Sequence, residues 1–142
     1  MDFSKRVAYE DTHTLNVVDP ATDKPTGISI VIRSAFSEVG KQLLRKHSNS
    51  NIERRNRGKP MKAEQLEEQA IEKAASYVVS WDWGVDPETK EPNTYDGEVP
   101  VYSMKAAAKI MREQGWLFGQ VVEAAEDIAN FTKGSKKGSA DE

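Results

Sequence analysis

Two short β-branched runs near the start of the chain most constrain its fold. Residues 15–18 and 28–32 show the partial alternation of half-buried strands. The stretch between them, residues 19–27, is dense in Asp, Pro, Thr and Gly, which favour turns. The pattern predicts a β-hairpin with a long connection. Because a single hairpin is marginally stable in water, it must pack on helices or on the sheet of another chain.

Helical periodicity dominates the rest of the chain. Ser34 or Ser37 is placed to cap a first helix, which we expect to fray near residues 48–51, where four poor helix formers follow one another. The residues that fall on one side of this helix are apolar: Phe36, Val39, Leu43 and Leu44. Further helices are predicted over residues 61–79, 104–114 and 116–132.

Local signals also predict how the last two helices are separated. Ser103 caps the helix over residues 104–114, and Gly115 is expected to end it in a left-handed conformation. The sum is an α+β chain, in which an N-terminal β-hairpin precedes a predominantly helical domain of three to four helices. We expect a loosely ordered segment over residues 1–13, a single domain over 14–132 and a flexible tail over 133–142.

Composition and charge restrict the class of protein. The 142 residues contain no cysteine, which excludes disulfides, thiolate metal sites and a thiol nucleophile. Neither a signal-peptide pattern nor an apolar run long enough for a membrane span is present, so we expect a protein of the cytoplasm that is not secreted. Residues 1–62 hold 12 Lys and Arg against 7 Asp and Glu, whereas residues 63–142 hold 8 against 16. Such opposed halves favour self-association, although two solvated faces would show the same pattern.

No group of residues predicts catalysis. The two histidines, His13 and His47, have no nucleophile or carboxylate at useful spacing, and adjacent acids such as Glu67 and Glu68 do not face each other on a helix. We find no phosphate-binding glycine loop and no metal-ligand spacing. We therefore expect a protein that is not an enzyme, with no cofactor and no metal.

A basic segment over residues 41–62 is the first candidate for a binding surface. It contains eight positive charges, of which we select five as candidate contacts: Lys41, Arg45, Arg54, Arg55 and Arg57. This segment suits a nucleic-acid backbone, but it carries no interleaved aromatic residues, and the sequence pI is about 5.5. A solvated face, or a surface for an acidic protein, is the favoured interpretation.

Aromatic residues in the second half provide the other candidate surface. Trp81 and Trp83 follow the apolar end of a predicted helix, and Trp116 and Phe118 open the last one. Most aromatic side chains in so small a domain belong to its core, but large aromatics are also favoured anchors at interfaces. We therefore propose all four as candidate partner-binding residues.

The order of these elements resembles that of the tail assembly chaperones of long-tailed bacteriophages. The residues that carry the resemblance are the apolar run 28–34, the segment 78–83 with its two tryptophans, Asp96-Gly97 in a turn, 100–103 before the Ser-capped helix, and 116–121. The resemblance covers roughly residues 14–132. The family often has an acidic residue and an Asn after the capping Ser, where this chain has Met104-Lys105.

The resemblance implies a non-enzymatic assembly factor that works in the host cytoplasm and is absent from the finished virion. Such proteins bind the tape measure protein and help to recruit tail tube subunits, so the implied partners are the tape measure protein and the major tail tube protein. Two alternatives stay open. One is a nucleic-acid-binding accessory protein that uses the basic segment. The other is a structural tail or connector subunit that completes a neighbouring sheet by strand addition.

Overall fold

A three-stranded antiparallel sheet forms one layer of the fold. The computed structural model of the chain describes residues 2–132. The strands are β1 (Thr12–Val18), β2 (Pro25–Arg33) and β3 (Val78–Asp82), in the spatial order β1-β2-β3. The predicted hairpin is confirmed, and a third strand extends it beside β2.

Helices form the rest of the fold. They are α1 (Glu38–Asn56), α2 (Ala63–Tyr77), α3 (Met104–Glu113) and α4 (Gly115–Glu126), followed by a 3-10 turn (Ile128–Phe131). The predicted α+β class, with a hairpin before a mainly helical part, is confirmed. The tail predicted for residues 133–142 lies outside the described residues. The boundary between residues 1–13 and 14–132 stays a prediction, and Thr12 and His13 already belong to β1.

The third strand begins where the second helix was predicted to continue. The prediction of helix up to residue 79 was wrong, because α2 ends at Tyr77 and Val78 opens β3 with no linker. Val78 and Val79 are β-branched and favour extended backbone. Val78 also pairs with Ile32 of β2. Residues this apolar satisfy a helical or an extended pattern equally, so periodicity alone does not show the change.

The core lies between one face of the sheet and the helices. Alternate residues of β2, namely Ile28, Ile30 and Ile32, are buried, and each contributes about 1.5–3 kcal/mol through burial. Strand pairing places Leu15 of β1 and Trp81 of β3 on either side of Ile30. The opposite face of the sheet carries exposed polar residues, among them Thr14, Asn16 and Ser80. The sheet is thus packed on one face and solvated on the other, as is common for antiparallel sheets.

Three further predicted helix limits differ from the structure, and the first is the last helix, which was predicted to residue 132 but ends at Glu126, before the separate 3-10 turn. α1 continues through residues 48–51, because the Asn51 side chain bonds to Gln69 of α2 and this tertiary contact offsets its poor helix propensity. The cap at Ser37 is confirmed, since its hydroxyl oxygen accepts from the Gly40 amide at 3.4 Å. Gly115 is not a left-handed stop but the first residue of α4, and the break falls at Gln114.

A close approach of two backbone segments requires glycine at two positions. Gly27 of β2 and Gly84, just after β3, both have positive φ, at 87° and 54°. A Cβ on Gly27 would lie 1.9 Å from the carbonyl oxygen of Val85, and one on Gly84 would lie 2.4 Å from that of Gly27. The Asn93 side-chain amide donates to the carbonyls of Thr26 and Trp83 at 2.8 and 2.7 Å, which fixes this approach.

Replacing Gly27 with alanine should destabilise the fold by roughly 3 kcal/mol or more, because backbone strain and a steric clash act together. Gly58→Ala is the matched control. Gly58 also has positive φ, 73°, but nothing lies within 4 Å of its added Cβ. Its cost should be the strain alone, about 1–2 kcal/mol. Urea unfolding would measure both, and equal losses would show that the close approach costs nothing.

Candidate partner-binding surface

Four aromatic rings form a connected cluster beside β3. The centroids of Trp81 and Trp83 lie 6.0 Å apart, those of Trp81 and Tyr102 lie 5.3 Å apart, and those of Trp83 and Tyr95 lie 6.1 Å apart. All three contacts are edge-to-face, the geometry that aromatic quadrupoles favour. Trp81 and Trp83 therefore pack against each other and against aromatic rings of their own chain.

Hydrogen bonds show what this cluster does for the fold. The Trp81 indole N–H donates to the carbonyl of Pro100 at 2.9 Å, and the Tyr102 hydroxyl donates to the carbonyl of Val78 at 2.8 Å. Both bonds hold the segment before α3 against β3. Trp83 is only 6% exposed and belongs to the core, so it presents almost no surface to a partner. Trp81 is half-buried.

The other two candidate aromatics lie on α4 and differ from each other. Phe118 is half-buried and packs against the core. Trp116 is 36% exposed, and its indole N–H donates to the side chain of Gln114 at 3.1 Å. Trp116 also lines an open depression of about 440 Å³ together with the β1–β2 turn. Of the four predicted aromatic contacts, Trp116 is the one with the most accessible ring.

The candidate basic residues lie on α1 and at its C-terminus. Four are within the helix, and Arg57 is its C-cap. Their contacts are with their own chain: Arg45 with Glu38 at 3.6 Å, Arg57 with Glu53, Arg54 with the Gln65 side chain at 3.4 Å, and Lys41 above the Tyr9 ring at 6.0 Å. Within residues 2–132, the Arg55 side chain has no hydrogen bond or ion pair. Solvent-exposed pairs such as Arg45–Glu38 contribute little, so these cations stay available to a partner.

The contact between α1 and α2 is polar, which sequence reasoning missed. Asn51 and Gln69 exchange two side-chain hydrogen bonds of 3.2 and 2.9 Å, and His47 lies 3.2 Å from Glu72. His47 is 9% exposed and is one of only two residues that α1 buries. An amphipathic helix normally buries its leucines in such a contact. Here amides and an imidazole take that place.

Several apolar side chains of this helical hairpin consequently face water, although the last turn of α2 is buried in the core. The exposed fractions are 56% for Leu44, 45% for Ile52 and 48% for Leu66, and Phe36 and Val39 of the predicted apolar side are exposed as well. Of the four residues predicted to lie on one apolar side, Leu43 alone is half-buried. The signal available in the sequence was the spacing of Asn51 and His47, which places polar groups on the face that contacts α2.

Groups suited to chemistry do not converge. Among residues 2–132, no cluster of three or more histidine or acidic side chains has the arrangement of a metal site. The two histidines are separate: His47 lies between α1 and α2, whereas the ring of His13 packs against Phe131 at 6.1 Å. No helix of the described part of the chain is long and apolar enough to cross a membrane.

We expect substitution of the most buried tryptophan, Trp83, and of the most exposed one, Trp116, to change stability by very different amounts. Trp83→Ala should lower the free energy of unfolding by about 3–5 kcal/mol, because it removes a buried ring from the core. Trp116→Ala should cost about 1 kcal/mol or less, since its ring is partly solvated and lies at the first turn of α4. Chemical unfolding followed by circular dichroism would measure both. Similar losses would contradict the assignment of Trp83 to the core and Trp116 to the surface.

His13 should make stability depend on pH. Burial lowers its pKa from the ordinary 6.5, and the Asp127 carboxylate partly opposes this. The unfolded chain then binds more protons than the folded one between the lowered pKa and 6.5, so this contribution is present above pH 6.5 and is lost as the pH falls below it. We expect the urea midpoint to decrease between pH 7.5 and 5.5, and to decrease less in His13→Gln. An equal decrease in both proteins would show that a group other than His13 causes the pH dependence.

Comparison with known proteins gives one family match. The model of the family described as YdaY prophage protein matches residues 33–141, well over half of the chain, from the last residue of β2 onwards. No curated protein and no solved structure matches. The chain therefore belongs to the YdaY family of prophage proteins and is phage-derived.

Proposed function

We propose that this protein is a tail assembly chaperone of its phage: a non-enzymatic factor that binds the tape measure protein and helps to recruit tail tube subunits around it. The observation that carries the proposal is the α1–α2 hairpin, which keeps Leu44, Ile52 and Leu66 largely in water on a hairpin rich in exposed cations. Exposed apolar groups rimmed by charge are typical of a surface that contacts another protein. A protein that handles an assembling partner needs such a surface before the partner is present.

The family match and the resemblance support this proposal from different directions. Membership of a prophage family restricts the setting to phage biology. The resemblance to tail assembly chaperones, which rests on the order of elements and on the tryptophan segment, selects assembly within that setting. The edge-to-face aromatic cluster then has a structural role, and contact with the partner falls to the hairpin and to Trp116. A host-cytoplasmic location and self-association belong to the same proposal.

Nucleic-acid binding is the second candidate function, and one observation favours it. The end of α1 and the turn that follows it hold five cations within residues 54–62, and Arg55 is unpaired within the described residues. A phosphate backbone would neutralise such a group, and the binding would weaken steeply with salt. The half-exposed leucines on the same hairpin have no role in that contact, which is why we place it second.

Co-expression with the tape measure protein of the same prophage tests the proposal. We take that protein to be the longest predicted helical protein encoded just downstream. It should be insoluble when expressed alone, and soluble and co-purified when this chain is present, because its apolar helical surface is then covered. Sedimentation and mass measurement of the co-purified material would give the stoichiometry.

An unrelated soluble protein of similar size and charge, expressed at the same level, is the control. If the tape measure protein stays equally insoluble with this chain and with the control, the proposed function is wrong. Retention of short duplex DNA by this chain at low salt, lost at high salt, would then select the second candidate.

A further inference from the structure

The groove between α1 and α2 has the features of a ligand surface. Its volume is about 350 Å³, and its apolar lining is formed by Leu44, Leu66 and Ala70. The side chains of Asn51 and Gln69 also line it and bond to each other, so each amide keeps one N–H for solvent or a ligand. A ligand therefore meets apolar walls and a polar strip.

The charge of the groove is one-sided. No carboxylate lines it among the described residues, whereas Lys73 does. Two of the four acidic residues of α2 have partners in the chain: Glu68 is held by Arg112 of α3 at 2.6–3.0 Å, and Glu72 lies against His47 at 3.2 Å. The other two, Glu64 and Glu67, do not line the groove. Arg55 follows Asn51 by one helical turn, so it lies beside the same groove. Neither Lys73 nor Arg55 has an ion pair within residues 2–132.

The two cations are spaced along the groove. Because His47 contacts Glu72, Lys73 lies at about the level of His47 in the antiparallel hairpin. Arg55 is further along α1, which places the two charges about 12 Å apart at 1.5 Å per residue. This distance corresponds to roughly two turns of a helix laid along the groove. Leu44 and Leu66 lie near the two ends of this interval.

We propose that this groove binds an acidic amphipathic helix of another protein, with the apolar stripe of the helix on Leu44, Ala70 and Leu66 and its flanking carboxylates near Lys73 and Arg55. Helix-in-groove recognition uses apolar anchors spaced by three or four residues, and the walls here provide that contact. A helix with basic flanks is disfavoured because none of the described residues that line the groove is acidic. Two copies of this chain that met groove to groove would bring like charges together and be repelled.

Three synthetic peptides test the inference. Each is about 18 residues long, roughly five helical turns, with the same leucine stripe and with Glu, Gln or Lys on its flanks. Fluorescence anisotropy with the full chain should show that the Glu peptide binds about tenfold more tightly than the Gln peptide, and the Lys peptide most weakly. Added salt should reduce the preference for the Glu peptide, because the ion pairs are exposed.

Variants locate the binding in the groove. Leu44→Ser with Leu66→Ser should weaken the Glu peptide about tenfold or more, while Val101→Ser, at a residue that is 85% exposed elsewhere, should leave it unchanged. Lys73→Glu with Arg55→Glu should reverse the order of the Glu and Lys peptides, and Lys105→Glu on α3 is the matched control. Because all of these side chains are at least partly solvated, the variants should keep the wild-type circular dichroism spectrum.

Several results would overturn the inference. They are equal binding of the three peptides, no binding near millimolar concentration, and Glu-peptide binding that the leucine double variant leaves intact. Dimerisation that this variant abolishes would instead identify a second copy as the occupant, and displacement of the Glu peptide by short DNA would identify nucleic acid. The inference deepens the proposed function but fails separately from it. Co-purification of the tape measure protein with the leucine double variant would keep the function and reject the groove.

Discussion

The uninterrupted passage from α2 into β3 is the constraint on which the rest of the structure depends. Tyr77 and Val78 are 3% and 1% exposed, so the chain changes from helix to strand inside the core, with no loop to relax the geometry. Pairing of Val78 with Ile32 then fixes the end of α2 against the sheet. Since α1 packs chiefly on α2, the position of the whole helical hairpin follows from the register of one strand pair.

Signals that act over a few residues were sufficient to predict part of this architecture. The β-hairpin and the caps at Ser37 and Ser103 follow from side chains and their near neighbours, and the structure has all three. Features that depend on distant partners were not predictable in the same way. The strand at Val78 needs Ile32 beside it, and Trp83 is buried where a residue distant in sequence, Tyr95, packs against it. The groove is also of this kind, because its walls come from two helices.

The polar contact between α1 and α2 explains how the hairpin keeps its leucines exposed. A satisfied side-chain hydrogen bond contributes about 1 kcal/mol net, and the amide pair of Asn51 and Gln69 makes two of them. Such a pair also favours one register, since a shift along the axis would leave two partly buried amide groups unpaired. These hydrogen bonds therefore help to align the two helices. Leu44 and Leu66 stay about half exposed, so the rest of their apolar surface can be buried when a partner binds.

The distribution of charge also leaves the helical hairpin available to a partner. The chain as a whole is acidic, with a net charge of −3, yet the hairpin groove is basic. None of the four carboxylates of α2 lines the groove, and two of them have partners in the chain: the Arg112 guanidinium holds the pKa of Glu68 below its usual range, and Glu72 pairs with His47. Cations such as Arg55 have no such partner among the described residues. Exposed charge mainly raises the rate of encounter, whereas buried apolar area sets how long a complex lasts. With both on one hairpin, a partner can be selected by its charge and retained by its apolar stripe.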